Sequence, residues 1–130
     1  MLIDEARLEE IRLTGGLAPD ASAQGATISA ATLTGVRVAG ARLDGLHLKD
    51  CVVTGADFAN TCLRDAMFER CVLTDCRMTG VDLSRTRIRD VSFNDCMLDM
   101  ANFAESRIDR TEFGGSSLRE SIFEQTQLRD

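Results

Sequence analysis

Residues 56–60 read Ala56-Asp57-Phe58-Ala59-Asn60, and the same grammar returns at Val81-Asp82-Leu83-Ser84-Arg85 and at Ala101-Asn102-Phe103-Ala104-Glu105. Each unit is a small residue, a polar residue, a large apolar residue and two mostly polar ones. Working outward in steps of five, the apolar position falls on every fifth residue from Ile3 to Leu128. Of these 26 positions 24 are Leu, Ile, Val, Met or Phe, the exceptions being Ala18 and Ala23, and all six Phe of the chain are among them. Two residues earlier, from Ala26 onward, stands Ala, Ser, Thr, Cys or Val everywhere except Leu46. Gly gathers two residues after the centre, where eight of the ten glycines lie.

A period of five fits neither standard element. On an α-helix five residues advance about 500°, so successive centres diverge by about 140° and no face becomes apolar. On a strand an odd period sends successive centres to opposite faces. The chain must instead turn once per unit, pointing one large and one small side chain inward each time. Four such turns close a square coil of 20 residues, and stacked coils pair their backbones at about 4.8 Å. Gly beside the turn relieves the constraint on φ.

These units resemble the pentapeptide-repeat proteins. The match runs without a frame slip from Ala26 to Asp130, 21 units in all. The resemblance implies an all-β fold, a right-handed quadrilateral parallel β-helix of about 5–6.5 coils. The chain departs from the family pattern before the centre, where Arg37, Arg42, Arg77, Arg87 and Arg107 stand in place of the favoured Asp or Asn.

The length of 130 residues suits one domain, residues 1–130. Residues 1–15 keep the frame and are expected as an N-terminal coil, with a short capping helix over Asp4–Ile11 as the alternative. Residues 16–25, which include Pro19 and Asp20, break the apolar pattern and are expected as a loop, a candidate partner surface. At the other end a last coil leaves its apolar cross-section open. That ring would hold Ile108, Phe113, Leu118, Phe123 and Leu128. The resemblance implies that it pairs with a second copy as a C-terminal homodimer.

Chemistry is scarce. The five cysteines include no Cys-x-x-Cys pair, and Cys51, Cys71, Cys76 and Cys96 take the small inward position, so they read as buried small hydrophobes and not as metal ligands. The single histidine, His47, sits outward with no nucleophile beside it, and no phosphate-binding or dinucleotide-binding glycine pattern is present. The expectation is no enzyme, no cofactor and no metal. No apolar run approaches a membrane span and no signal-peptide pattern opens the chain, so a cytoplasmic protein without membrane contact is expected. A net charge of −6 argues against direct nucleic-acid binding.

Columns 20 residues apart describe the surfaces. Thr34, Thr54 and Thr74 align beside Val52 and Val72, a flat β-face of low charge. Lys49, Glu69, Arg89, Asp109 and Arg129 form one column of alternating sign, and Asp50, Arg70, Asp90, Arg110 and Asp130 the next, both expected to pair along the column. Met67, Met97, Met100 and Ile122 read as exposed. Two functions follow. The first is a non-enzymatic interaction or scaffold protein that meets a protein partner through the Thr/Val face or the loop. The second, implied by the resemblance to the gyrase-protecting branch, is a DNA mimic that occupies a type II topoisomerase (DNA gyrase) and confers fluoroquinolone resistance. The interleaving of 16 acidic with 13 basic residues over 26–130 opposes the second, because alternating charges cancel within about a Debye length.

Overall fold

The computed structural model describes residues 22–130 together with the backbone of two strands near the N-terminus, Arg7–Glu9 (β1) and Arg12–Leu13 (β2). Ten further strands follow: Thr27–Ser29 (β3), Thr32–Thr34 (β4), His47–Lys49 (β5), Val52–Thr54 (β6), Met67–Glu69 (β7), Val72–Thr74 (β8), Arg87–Arg89 (β9), Ser92–Asn94 (β10), Arg107–Asp109 (β11) and Gln127–Arg129 (β12). They form two parallel sheets, one ordered β1-β3-β5-β7-β9-β11-β12 and the other β10-β8-β6-β4-β2. Every register pairs residues 20 apart, as in Leu48↔Phe68 and Val53↔Leu73. Single parallel bridges such as Asp57↔Arg77 and Cys62↔Asp82 join the remaining two sides of each coil at the same offset. The fold is all-β, a quadrilateral parallel β-solenoid of about five turns, with no helix among the described residues.

The two kinds of side differ in how they turn. On the bridge-only sides the N–H of the next small residue donates to the carbonyl of the centre three residues back, as Ala41 does to Val38 at 3.0 Å and Thr61 to Phe58 at 3.1 Å. With φ positive at the second of the two residues between, as at Gly40 and Asn60, this is the type II arrangement. A polar residue before the centre secures this turn. The Asp57, Asp82 and Asn102 side-chain oxygens each accept the N–H two residues on, at 2.9–3.0 Å. Arg37, Arg42 and Arg77 occupy the same turn position without such a bond.

Every fifth residue from Gly25 to Gln125 has φ between +44° and +75°. Seven of these corners are Gly and fourteen are not, among them Ala30, Arg70 and Met100. Left-handed backbone costs an ordinary L-residue roughly 1–2 kcal/mol, so the corners are held by the coil and not by the local residue. Each corner N–H from Gly25 to Arg110 donates to a carbonyl 19 residues later, as Gly35 does to Thr54 at 2.9 Å and Arg70 to Arg89 at 3.0 Å.

The core is the axial column of centres. Leu43, Leu48, Leu63, Phe68, Leu73, Met78, Leu83, Phe93, Leu98 and Phe103 are fully buried, with the small residues between them. Several of these small residues carry a donor that bonds the centre carbonyl of the preceding coil, as Thr61 does to Val38 at 2.8 Å, Ser106 to Leu83 at 2.8 Å and Cys51 to Ile28 at 3.4 Å. Toward the C-terminus Phe93 stacks on Phe113 at 5.1 Å and Phe103 on Phe123 at 4.9 Å, one ring per coil.

Residues 16–21, with Pro19 and Asp20, lie outside the described residues. Residues 22–25, expected within the loop, are already coil. Ser22 bridges Arg42, the Ala23 N–H donates to the Arg42 carbonyl at 2.9 Å, and Ala23 is buried in the large-residue position. A methyl there looks like a break in an apolar count, but it still points inward. In residues 1–15 the strands β1 and β2 pair with β3 and β4 at the 20-residue offset.

Candidate interaction surfaces

The rod presents four sides and a C-terminal end. On the side built from β4, β6, β8 and β10, Thr34 and Thr54 are exposed and Thr74 half-buried. Val52 and Val72 face each other in register, 48% and 39% exposed. The structure thus assembles the Thr34, Val52, Thr54, Val72 and Thr74 group into one flat patch bearing no charged side chain.

The charges separate by column. Among the corner residues, Arg70 grips Asp50 (2.7 and 3.3 Å), Arg110 grips Asp90 (2.7 and 3.1 Å) and Arg85 grips Asp65 (3.0 and 3.3 Å), each a two-point contact from one coil to the one before. The hydrogen bond from the guanidinium holds the Asp50 and Asp90 carboxyls below the usual carboxylate range. Asp99 is lowered likewise, by the Ser117 hydroxyl and then the Arg119 N–H. The neighbouring column behaves otherwise. Lys49, Arg89, Asp109 and Arg129 make no ion pair among the described residues, and Glu69 turns sideways to His47 and Arg70, both at 3.7 Å. Of the two expected ladders, only the corner column pairs along the rod, between Asp50 and Arg70 and between Asp90 and Arg110.

Met97, Met100 and Ile122 are exposed as expected, 51%, 53% and 43%, whereas Met67 is half-buried. It lies in a cleft of about 130 Å³ beside Arg87, Arg89 and Arg107.

At the C-terminal end the expected ring is only partly open. Leu128 is 64% exposed and Phe113, Leu118 and Phe123 are half-buried, but Ile108 is 3% exposed beneath its register partner Leu128. Ile108 therefore belongs to the coil before the end, since the centre of each coil is roofed by the next. A hollow of about 280 Å³ lies between Ile108, Phe113 and Leu128. The last small positions, Ser116, Ser121 and Thr126, turn their hydroxyls back onto Phe93, Leu98 and Phe103 carbonyls at 2.6–2.9 Å.

Four cysteines are buried and unpaired in disulfides, while Cys62 is half-buried on an outer position. Cys51 stacks with Cys71 and Cys76 with Cys96. The partner's sulfur, then burial, pushes the Cys71 and Cys76 thiols well above their usual range. Among the described residues no group of three or more His, Cys, Asp or Glu side chains is placed to hold a metal ion, and no helix is long and apolar enough to cross a membrane.

Residues 46–123 match the family model described as pentapeptide repeat region. The chain belongs to the pentapeptide-repeat family. No curated protein matches it. Among solved structures it is similar to a trypsin-treated form of QnrB1, a plasmid-mediated fluoroquinolone resistance protein, at 15% identity and a TM-score of 0.38, over 98% of this chain and 92% of that one. A pentapeptide repeat protein from the Arabidopsis thaliana thylakoid lumen is 27% identical with a TM-score of 0.35, over 50% of this chain and 49% of its own. HetL, a pentapeptide repeat protein involved in heterocyst differentiation regulation from the cyanobacterium Nostoc, is 14% identical with a TM-score of 0.29, over 95% and 87%.

Proposed function

We propose that this protein is a non-enzymatic interaction module, a cytoplasmic rod whose flat Thr/Val side docks a protein partner. The observation that supports this most is the Val52–Val72 pair, two apolar side chains exposed in register on a sheet with no charged neighbour in the patch. The backbone beneath is fixed by cross-coil hydrogen bonds, so docking orders little that is not already ordered, which keeps the entropic cost of association low. The test is photo-crosslinking from position 52 in the native cell, followed by affinity measurement with the captured protein. Val52→Glu with Val72→Glu should weaken that complex at least tenfold, and unchanged affinity overturns the reading.

A DNA mimic acting on DNA gyrase is the second reading, favoured by the elongated stack and the net charge of −6. The paired charges oppose it: Arg64 neutralises Asp44 and Asp82, and Arg85 neutralises Asp65. A supercoiling assay decides, with and without a fluoroquinolone. No effect at about tenfold molar excess removes it.

The exposed Leu128 and the hollow beside it support a homodimer through this end. A monomeric mass by light scattering at micromolar concentration rules that out.

A further inference from the structure

The side built from β5, β7, β9, β11 and β12 carries two outward columns. One alternates in sign through Lys49, Glu69, Arg89, Asp109 and Arg129. The other reads His47, Met67, Arg87, Arg107 and Gln127, and contains no acid. Arg87 and Arg107 are register partners on adjacent strands, both exposed. Neither makes an ion pair or side-chain hydrogen bond among the described residues. Like charges directly opposed across a ladder are destabilising, and elsewhere on the rod Arg64, Arg70, Arg85 and Arg110 each find a carboxylate on the preceding coil.

Beside this pair lies the cleft of about 130 Å³, lined by Met67, Arg87, Arg89 and Arg107 with Glu69 and Asp109. Its chemistry is mixed. It offers guanidinium donors from Arg87, Arg89 and Arg107 and the apolar thioether side chain of Met67. A phosphate dianion would satisfy the guanidiniums but leave the Met67 side chain without an apolar partner. An extended peptide with a carboxylate next to an apolar residue satisfies both: the carboxylate meets Arg87 and Arg107, and the apolar side chain covers Met67. A long polyanion such as duplex DNA is disfavoured by the chain's net charge of −6 and by Glu69 and Asp109 within the cleft.

We infer that the Arg87–Arg107 cleft binds a short acidic segment of a protein partner, one that places a carboxylate next to an apolar residue. The inference rests on the interaction-module reading but puts a charged contact on a different side of the rod from the Thr/Val patch.

The experiment uses the full chain and a fluorescein-labelled peptide of sequence Glu-Leu-Asp-Leu-Glu, with Gln-Leu-Asn-Leu-Gln, inorganic phosphate and a short DNA duplex as comparisons. Anisotropy should show saturable binding of the acidic peptide that weakens with salt. Amide shifts should be confined to β7, β9 and β11. Arg87→Glu with Arg107→Glu should reduce affinity at least tenfold. Arg87→Gln alone keeps the fold, reduces affinity severalfold and leaves the melting midpoint equal or higher, because it removes a repulsion. Equal binding of the neutral peptide, undiminished binding by the double variant, stronger binding of phosphate or duplex, or a lower midpoint in Arg87→Gln each overturns the inference. If Val52→Glu with Val72→Glu abolishes the captured complex and the arginine variants leave it intact, the module stands and this cleft falls. If the peptide binds the arginines while the valine variants leave the complex unchanged, the cleft stands and the Thr/Val reading falls.

Discussion

The Thr61 hydroxyl donates to the Val38 carbonyl, 23 residues earlier, at 2.8 Å, and the same carbonyl also accepts the Ala41 N–H at 3.0 Å. The bond runs along the rod axis inside the core and ties one coil to the one below it. Thr61→Ala removes one of two bonds to that carbonyl and should cost about 1–1.5 kcal/mol, read as a lower urea midpoint at constant m. An unchanged midpoint shows that the turn N–H alone satisfies Val38.

Gly80 and Gly35 both sit at left-handed corners, φ +70° and +61°, but a Cβ at Gly35 meets nothing within 4 Å, while one at Gly80 meets Asn60 Oδ1. Gly35→Ala should cost about 1 kcal/mol from backbone conformation alone. Gly80→Ala should cost more, and the excess should vanish when Asn60→Ala is present, a coupling measurable by a double-mutant cycle. Equal costs in both backgrounds mean that Asn60 moves aside freely.

Met100 holds φ +60° with its side chain 53% exposed. Replacing it with Gly relieves the left-handed penalty but loosens the unfolded chain, for a net gain of about 0.5–1 kcal/mol. Thermal unfolding checks this, and a lower midpoint would show that the Met100 side chain packs usefully.

Asp50 and Asp90 have carboxyls lowered by hydrogen bonds from Arg70 and Arg110. A group lowered in the folded state contributes stability above its unfolded pKa of about 3.9, and that contribution fades as pH falls through the folded value. Acid unfolding should therefore shift less with pH below 4 in Asp50→Asn with Asp90→Asn than in the parent. Because both pairs are exposed, about 1 M salt should shrink the difference.

Of the five thiols only Cys62 is not buried. A disulfide-exchange reagent should modify one thiol per native chain within minutes and the other four only on unfolding, with Cys62→Ser abolishing the fast phase. Fast reaction of a second thiol would mean that the coils open locally.

Much of this molecule is legible in a single column of letters. The Leu63–Leu83–Phe103 and Leu48–Phe68–Ile88 columns are written at an offset of 20, and the core follows them. The charged columns are legible only as neighbours. Asp50 and Arg70 bond, whereas Glu69 and Arg89, equally in register, do not, because Glu69 turns to His47 and Arg70 instead. Ala23 shows the converse. A small centre reads as loop in the sequence, yet its amide bonds Arg42 as any coil residue does.

The sequence by itself determined the coil length, the inward residues and the burial of four cysteines, since a period of five with one large and one small apolar position admits a single way of hiding them. Only the tertiary structure decided which two sides pair as strands and which turn tightly, which arginines find a carboxylate, and that Arg87 and Arg107 are left facing each other. Those outcomes depend on side-chain direction between coils 20 residues apart, which no local pattern encodes.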